Sequence, residues 1–215
     1  MAGYWELATT ELIRKTLRKG MIFIDIGANI GYFTIIASQI VGGSGKVLAF
    51  EPDTTNFLLL KKSVVFNHFS NCELFNCAVS NKSGKLDLYL AESPGGHSIV
   101  SNFGKGRIQV NSVTLDSLLS LQLRRVDLVK IDVEKAEALV CEGGLHFLRR
   151  YRPRIILEFN KEAWVNKANL FEALFSDYVL YRIVNRPWLI QAMNTKDLAN
   201  DDGRKIDVYL VPRNT

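Results

Sequence analysis

The chain has no apolar run of the roughly 20 residues needed to span a bilayer. Its opening residues, MAGYWELATT, lack the basic-then-apolar order of a secretory leader. Cysteine is scarce: Cys72, Cys77 and Cys141 are scattered and odd in number, with no metal spacing and no disulfide framework. The expectation is a cytoplasmic protein with reduced thiols and no membrane partner. Histidine is scarce too, and none of the three stands at a fixed spacing from acids, so no transition-metal site is expected. No repeat or low-complexity tract is present. The net charge of +5 sits in clusters, Arg14-Lys15 to Lys19, Arg124-Arg125 and Arg149-Arg150 to Arg154. None is interleaved with aromatics as a nucleic-acid groove requires, which argues for solvated faces and against a nucleic-acid partner.

What is present is an ordinary globular composition, 47% apolar and 23% charged. A chain of this length holds one domain with a full core, expected to run over 1–215. Its organising stretch is Met21–Tyr32. Met21–Ile26 is an apolar run with Asp25 near its end, Gly27-Ala28-Asn29-Ile30-Gly31 is a turn, and Tyr32–Val41 resumes at helical spacing. Strand, glycine turn and helix open a nucleotide-binding α/β fold. A dinucleotide fingerprint needs a second glycine where Asn29 stands, and Asp25 would repel a pyrophosphate. A ligand with a cationic amino-acid end and no phosphate suits the turn better, and S-adenosylmethionine is such a ligand. Lys46–Phe50 then reads as a buried strand ending in Glu51-Pro52-Asp53. A carboxylate there can accept from both ribose hydroxyls; capping the helix that follows is the alternative role.

The remaining chain continues the α/β alternation. Thr9–Lys19 is an expected amphipathic helix, capped by Thr9 or Thr10, that covers the sheet edge or the cofactor mouth within an N-terminal segment 1–20. Asp53–Asn67 is a helix with the apolar stripe Phe57, Leu58, Leu60, Val64 and Val65. Cys72–Val79 reads as one strand whose end, Asn76–Val79, lines the adenine pocket. Gly84–Ala91 and Arg107–Val113 alternate in polarity, which predicts an antiparallel hairpin insertion over 84–113. Its tip, Glu92–Gly106, carries His97 and Ser98 and could be a lid or a polar loop. Val126–Val133 is a strand that delivers Asp132 and Glu134 to the carboxyl edge of the sheet, where ligands bind. Arg154–Phe159 is another strand, with Glu158 near its end. Asn185–Arg204 reads as a polar excursion and Ile206–Val211 as the last strand.

These segments together resemble the FkbM-type class I S-adenosylmethionine-dependent methyltransferases. The resemblance rests on FIDIGANIGYFTIIAS, VLAFEPDTTNFLLLKKSV, NCAVSNKSGKLDLYL, VTLDSLL, VDLVKIDVEKAEALVCEGG and PRIILEF, in that order from about residue 23 to 159. It implies a Rossmann-like α/β fold with a seven-stranded, mostly parallel sheet of order 3-2-1-4-5-7-6, helices on both faces and the last strand antiparallel. It implies methyl transfer, commonly to a hydroxyl of a sugar, polyketide or other small molecule. Asp25, Gly27, Ala28, Asn29, Gly31 and Tyr32 would hold the methionine part, Glu51 with Pro52 the ribose, and Ala78 and Val79 the adenine. Asp132 and Glu134 match the acidic pair after the fourth strand, and Glu158 the acid after the fifth. Asp132 would position the acceptor or the cofactor's amino group, with Glu134 or His97 as base. The three acids could instead gather one Mg²⁺. One position departs from the family pattern: Lys135 stands where D-V-E-G-x-E has glycine. If that glycine serves a positive φ, Lys135 strains or reshapes the loop. An RNA or DNA methyltransferase, a non-catalytic cofactor-binding protein and a nicotinamide oxidoreductase are the rival functions.

Overall fold

The computed structural model describes residues 6–92, 94–184, 190–199 and 205–213. Its main sheet is built on β1 (Ile22–Ile26), β2 (Lys46–Phe50), β3 (Cys72–Phe75), β7 (Leu128–Ile131) and β8 (Arg154–Phe159). These five are parallel, in the spatial order β3-β2-β1-β7-β8. β11 (Ile206–Pro212) inserts antiparallel between β8 and β9 (Tyr178–Ile183). That reproduces the expected 3-2-1-4-5-7-6 order. β10 (Ile190–Met193) adds an eighth strand, antiparallel on the outer edge of β9. The segment read as a polar excursion therefore contains, within its described part, this strand and the short helix α7 (Thr195–Ala199).

The sequence sorts its apolar residues onto two faces because strand side chains alternate. Phe23, Val47, Leu128, Ile156 and Tyr209 face α1 (Leu7–Thr16) and α2 (Tyr32–Val41), meeting Leu12, Ile13, Phe33 and Ala37. Ile24, Leu48, Val129, Ile155 and Val208 face the opposite layer, which includes α4 (Glu137–Glu142), α5 (Leu145–Tyr151) and α6 (Ala168–Phe175). Both faces are covered, so β2 is buried beyond Lys46 and β7 along its whole length, Lys130 included, rather than alternating buried and exposed.

Four local expectations change. α1 starts before Thr9, and no side chain caps it. Thr9 and Thr10 are instead buried within the helix, and donate to Asp207 Oδ2 (3.4 Å) and the Tyr32 hydroxyl (3.3 Å). α3 (Thr54–Phe66) buries Leu60 and Val64, but Leu58 and Val65 are 52% and 64% exposed, because only a narrow stripe meets Ala28 and Ala49. The strand expected over Cys72–Val79 breaks at Asn76-Cys77. β4 (Ala78–Ser80) leaves the main sheet and pairs parallel with β6 (Arg107–Thr114), which also pairs antiparallel with β5 (Gly84–Tyr89). Asn76 makes that break: its Nδ2 donates to the carbonyls of Glu51 (2.9 Å) and Pro52 (3.1 Å). The expected hairpin is thus present as part of a three-stranded second sheet, β4-β6-β5. No described helix is long and apolar enough to cross a membrane.

Candidate active site

The turn after β1 is shaped by contact between chain segments. Gly27 has φ 81°, and a Cβ there would lie 1.9 Å from the Asp132 carbonyl oxygen. The glycine lets the ends of β1 and β7 touch, where Asp132 N–H donates to the Ile26 carbonyl (3.1 Å). Gly31, at φ 98°, lets the start of α2 approach Leu60 of α3. Both glycines are expected to hold the methionine part of the cofactor; at these two positions the close approach that glycine allows is to the protein itself. Ala28 N–H donates to the Phe50 carbonyl (3.0 Å), and Tyr32 turns its hydroxyl toward α1.

Two buried acceptors, one at the end of β1 and one in the turn, have no donor among the described residues. Asp25 is 1% exposed; its Oδ2 accepts from Thr34 Oγ1 at 2.6 Å, while Oδ1 has no partner among the described residues. Burial pushes the Asp25 carboxyl up, against the pull of the Lys130 ammonium. Asn29, left-handed at φ 51°, likewise has a buried Oδ1 without a donor. Buried acceptors are ordinarily satisfied, so this unpaired pair calls for a donor from outside the protein.

Glu51 stands beside them at the end of β2. Its Oε2 accepts from Asn29 N–H (2.8 Å) and its Oε1 from Asp53 N–H (2.9 Å). Burial raises the carboxyl to about 7 despite these two bonds. Each oxygen keeps a second lone pair for a ligand hydroxyl. The capping role belongs to Asp53, whose Oδ1 accepts from Asn56 N–H (2.8 Å) at the start of α3. Ala78 and Val79 are buried at the seam of the two sheets, packed with the hairpin and the main core respectively.

The acids after β7 and near the end of β8 do converge. One carboxylate oxygen each from Asp132, Glu134 and Glu158 lies within 4.8 Å of the others. Lys130, buried in β7, donates to Asp132 Oδ2 at 2.7 Å and stands 4.8 Å from the Phe33 ring centroid. Burial alone would lower that ammonium; Asp132, Asp25 and Glu6 more than reverse it and hold it above its usual value. Lys205, just before β11, donates to Glu134 Oε2 and lies 3.0 Å from Glu158 Oε2. Burial, with Asp132 and Glu134 nearby, raises Glu158 to about 8, against the pull of Lys205.

The loop carrying these acids is strained, as the missing glycine foretold: Glu134 and Lys135 sit at φ 49° and 73°. Glu137 Oε1 braces it by accepting from the Val133 and Lys135 N–H groups, both at 3.2 Å. Lys135 reaches Glu162 at 2.7 Å. The hairpin tip braces it from the other side. Ser98 Oγ donates to the Glu134 carbonyl at 2.6 Å and accepts from Val100 and Ser101 N–H. His97 Nδ1 accepts from Ala91 N–H at 3.0 Å. Lys205 was not singled out from the sequence, and neither were the bracing roles of Glu137 and Ser98. The signal for Lys205 was its place before a strand that pairs Asp207 with Glu158.

A sequence model of the methyltransferase FkbM domain matches residues 25–181, most of the chain and every loop just described except the approach to β11 that carries Lys205. The chain belongs to the methyltransferase FkbM domain family. Among curated relatives, this FkbM domain is 28% identical over 153 residues to methyltransferase sdnD of Sordaria araneosa, covering 56% of this chain and 59% of that protein. It is 25% identical over 142 residues to methyltransferase 1 of Beauveria bassiana (strain ARSEF 2860), covering 56% and 57%. The chain thus spans well under two thirds of the relatives it matches. The fold is shared with the methyltransferase FkbM of Methylobacillus flagellatus KT, at TM-score 0.58 and 14% identity over 94% of this chain and 50% of that one. It is shared with SMU.1697c of Streptococcus mutans, solved with S-adenosylhomocysteine, at TM-score 0.58 and 11% identity over 99% and 100%. An rRNA methylase of Streptococcus thermophilus has it too, at TM-score 0.53 and 11% identity over 100% and 99%.

Proposed function

We propose that this FkbM domain is an S-adenosylmethionine-dependent O-methyltransferase that acts on a hydroxyl of a small molecule or glycan. The observation that carries the cofactor assignment is the pair of unsatisfied buried acceptors, Asp25 Oδ1 and Asn29 Oδ1, at the end of β1 and in the turn next to Glu51. An amino-acid ammonium offers the donors they lack, and vicinal ribose hydroxyls suit the free lone pairs of Glu51. A pyrophosphate would meet Asp25 and Glu51 as like charges.

The bound cofactor supplies a methyl group on a sulfonium, already activated for displacement by an oxygen nucleophile. The chain's part is then orientation and proton handling. Asp132, fixed by Lys130, positions the acceptor or the cofactor's amino end. Glu134 would accept the proton of the acceptor hydroxyl, whose oxygen would take the methyl in exchange for the cofactor's sulfur, which leaves as a neutral thioether. His97, the other candidate base, spends its acceptor nitrogen on Ala91 N–H, which leaves its neutral ring a donor at Nε2. The basic clusters of the chain are not interleaved with aromatics, which supports a small hydroxylated acceptor over a nucleic acid. Incubation with the cofactor and a panel of hydroxylated acceptors, read by mass spectrometry, tests the proposal. One methyl should be added, and Glu134→Gln should slow turnover by about 10²–10⁴-fold with cofactor affinity unchanged. Methylation of RNA with no product from the panel would contradict it.

A further inference from the structure

The acidic cluster holds a cation of its own. Asp132, Glu134 and Glu158 present oxygens within 4.8 Å of one another, a spacing that suits a hard divalent ion. The Lys205 ammonium already contacts two of the three carboxylates, Glu134 and Glu158, while Lys130 holds the third. The two Lys205 contacts are not made by neighbours in sequence. Lys205 is delivered by β11, whose first residue, Ile206, pairs with Phe159 at the end of β8. A lysine ammonium is a compact point charge on a flexible stem, able to sit among carboxylates as a metal would. A divalent ion added to the same place would meet that ammonium as a like charge and would have to expel it.

We propose that Lys205 is the resident cation of the acceptor site, standing where Asp132, Glu134 and Glu158 would otherwise gather a divalent metal, and that it fixes the Glu134 carboxylate for proton transfer. The second half rests on the methyl-transfer reading; the first does not. Lys205 is a positioning residue in this scheme, since it acts through Glu134.

The test is titration of the whole chain with Mn²⁺, following the loss of free-ion signal by electron paramagnetic resonance, alongside cofactor binding by calorimetry. Wild type should take up no Mn²⁺ at about 0.1 mM. Lys205→Met, or Lys205→Gln should the methionine variant not fold, should gain one Mn²⁺ per chain. Adding Glu158→Gln to either should abolish that gain, and Lys205→Arg should behave as wild type. A merely structural lysine would lower stability on removal without creating a metal site. Uptake of one Mn²⁺ by wild type, or none by a folded Lys205 variant, would overturn the proposal. Cofactor affinity is read separately: its absence in wild type would sink the methyltransferase reading while the Mn²⁺ result still decides the role of Lys205.

Discussion

Lys135 holds a left-handed backbone, φ 73°, that favours glycine. A Cβ in that region costs on the order of 1–2 kcal/mol, while the half-exposed ion pair to Glu162 returns about 0–1 kcal/mol. Lys135→Gly should therefore be more stable than Lys135→Ala by about 1 kcal/mol in urea denaturation, since both lose the ion pair and only one loses the strain. Equal stabilities would show that the loop bears no strain. Gly27 is the opposite case, since its Cβ would lie 1.9 Å from the Asp132 carbonyl oxygen. Gly27→Ala should cost about 3 kcal/mol and separate the ends of β1 and β7. Asp25, Glu51 and Asp132 were legible as candidates because each stands at or beside the end of an apolar run that reads as a strand, and Asn29 and Glu134 because they lie in the turns that follow. Lys205 was not, since it arrives from the far end of the chain; Glu137 stood in view as the last residue of the D-V-E-G-x-E pattern, but its bracing of the loop shows only when its partners are seen.

Among the elements, the hairpin has the most to say about function. Ser98 is 1% exposed; its hydroxyl accepts from Val100 and Ser101 N–H within the tip and donates one bond that ties the tip to the Glu134 carbonyl. This bond fastens part of the 92–106 segment to the acidic loop. Ser98→Ala leaves that carbonyl and two N–H groups without the hydroxyl, a loss of about 1–3 kcal/mol if they stay dry. Hydrogen exchange should quicken in the described parts of 92–106 and in 132–137 together. Quickening of the hairpin alone would mean the two loops are not coupled. The alternation in Gly84–Ala91 and Arg107–Val113 was enough to foresee the hairpin. The break at Asn76 was hidden because CELFNCAV is apolar enough to pass for one strand, and only side-chain bonds from Asn76 to the Glu51 and Pro52 carbonyls reveal the departure. Leu58 and Val65 on α3 misled for a similar reason: helical spacing shows that a face is apolar, not how wide a surface it meets.

Taken whole, the molecule gathers carboxyls at the carboxyl edge of its sheet and buries several of them. Glu51 and Glu137 are raised to about 7 and Glu158 to about 8, in each case chiefly by burial. The folded state then keeps protons that the unfolded chain has already released, so stability should fall as pH rises from about 5 to about 8. Denaturation midpoints across that range check it, and Glu137→Gln should flatten the slope; a midpoint that rose with pH would contradict the buried-acid arrangement. The strand order was foreseeable from the family resemblance, whereas β10 was not, its four residues being lost in a polar stretch. All of this geometry converges on one claim, that the turn after β1 and the acid after β2 hold S-adenosylmethionine. Calorimetric titration with S-adenosylmethionine and S-adenosylhomocysteine, on wild type and Glu51→Ala, tests it most directly. The account predicts binding of both at about micromolar affinity by wild type, weakened at least about tenfold in a folded Glu51→Ala. Folded wild type that bound neither ligand, or bound NAD in their place, would contradict it.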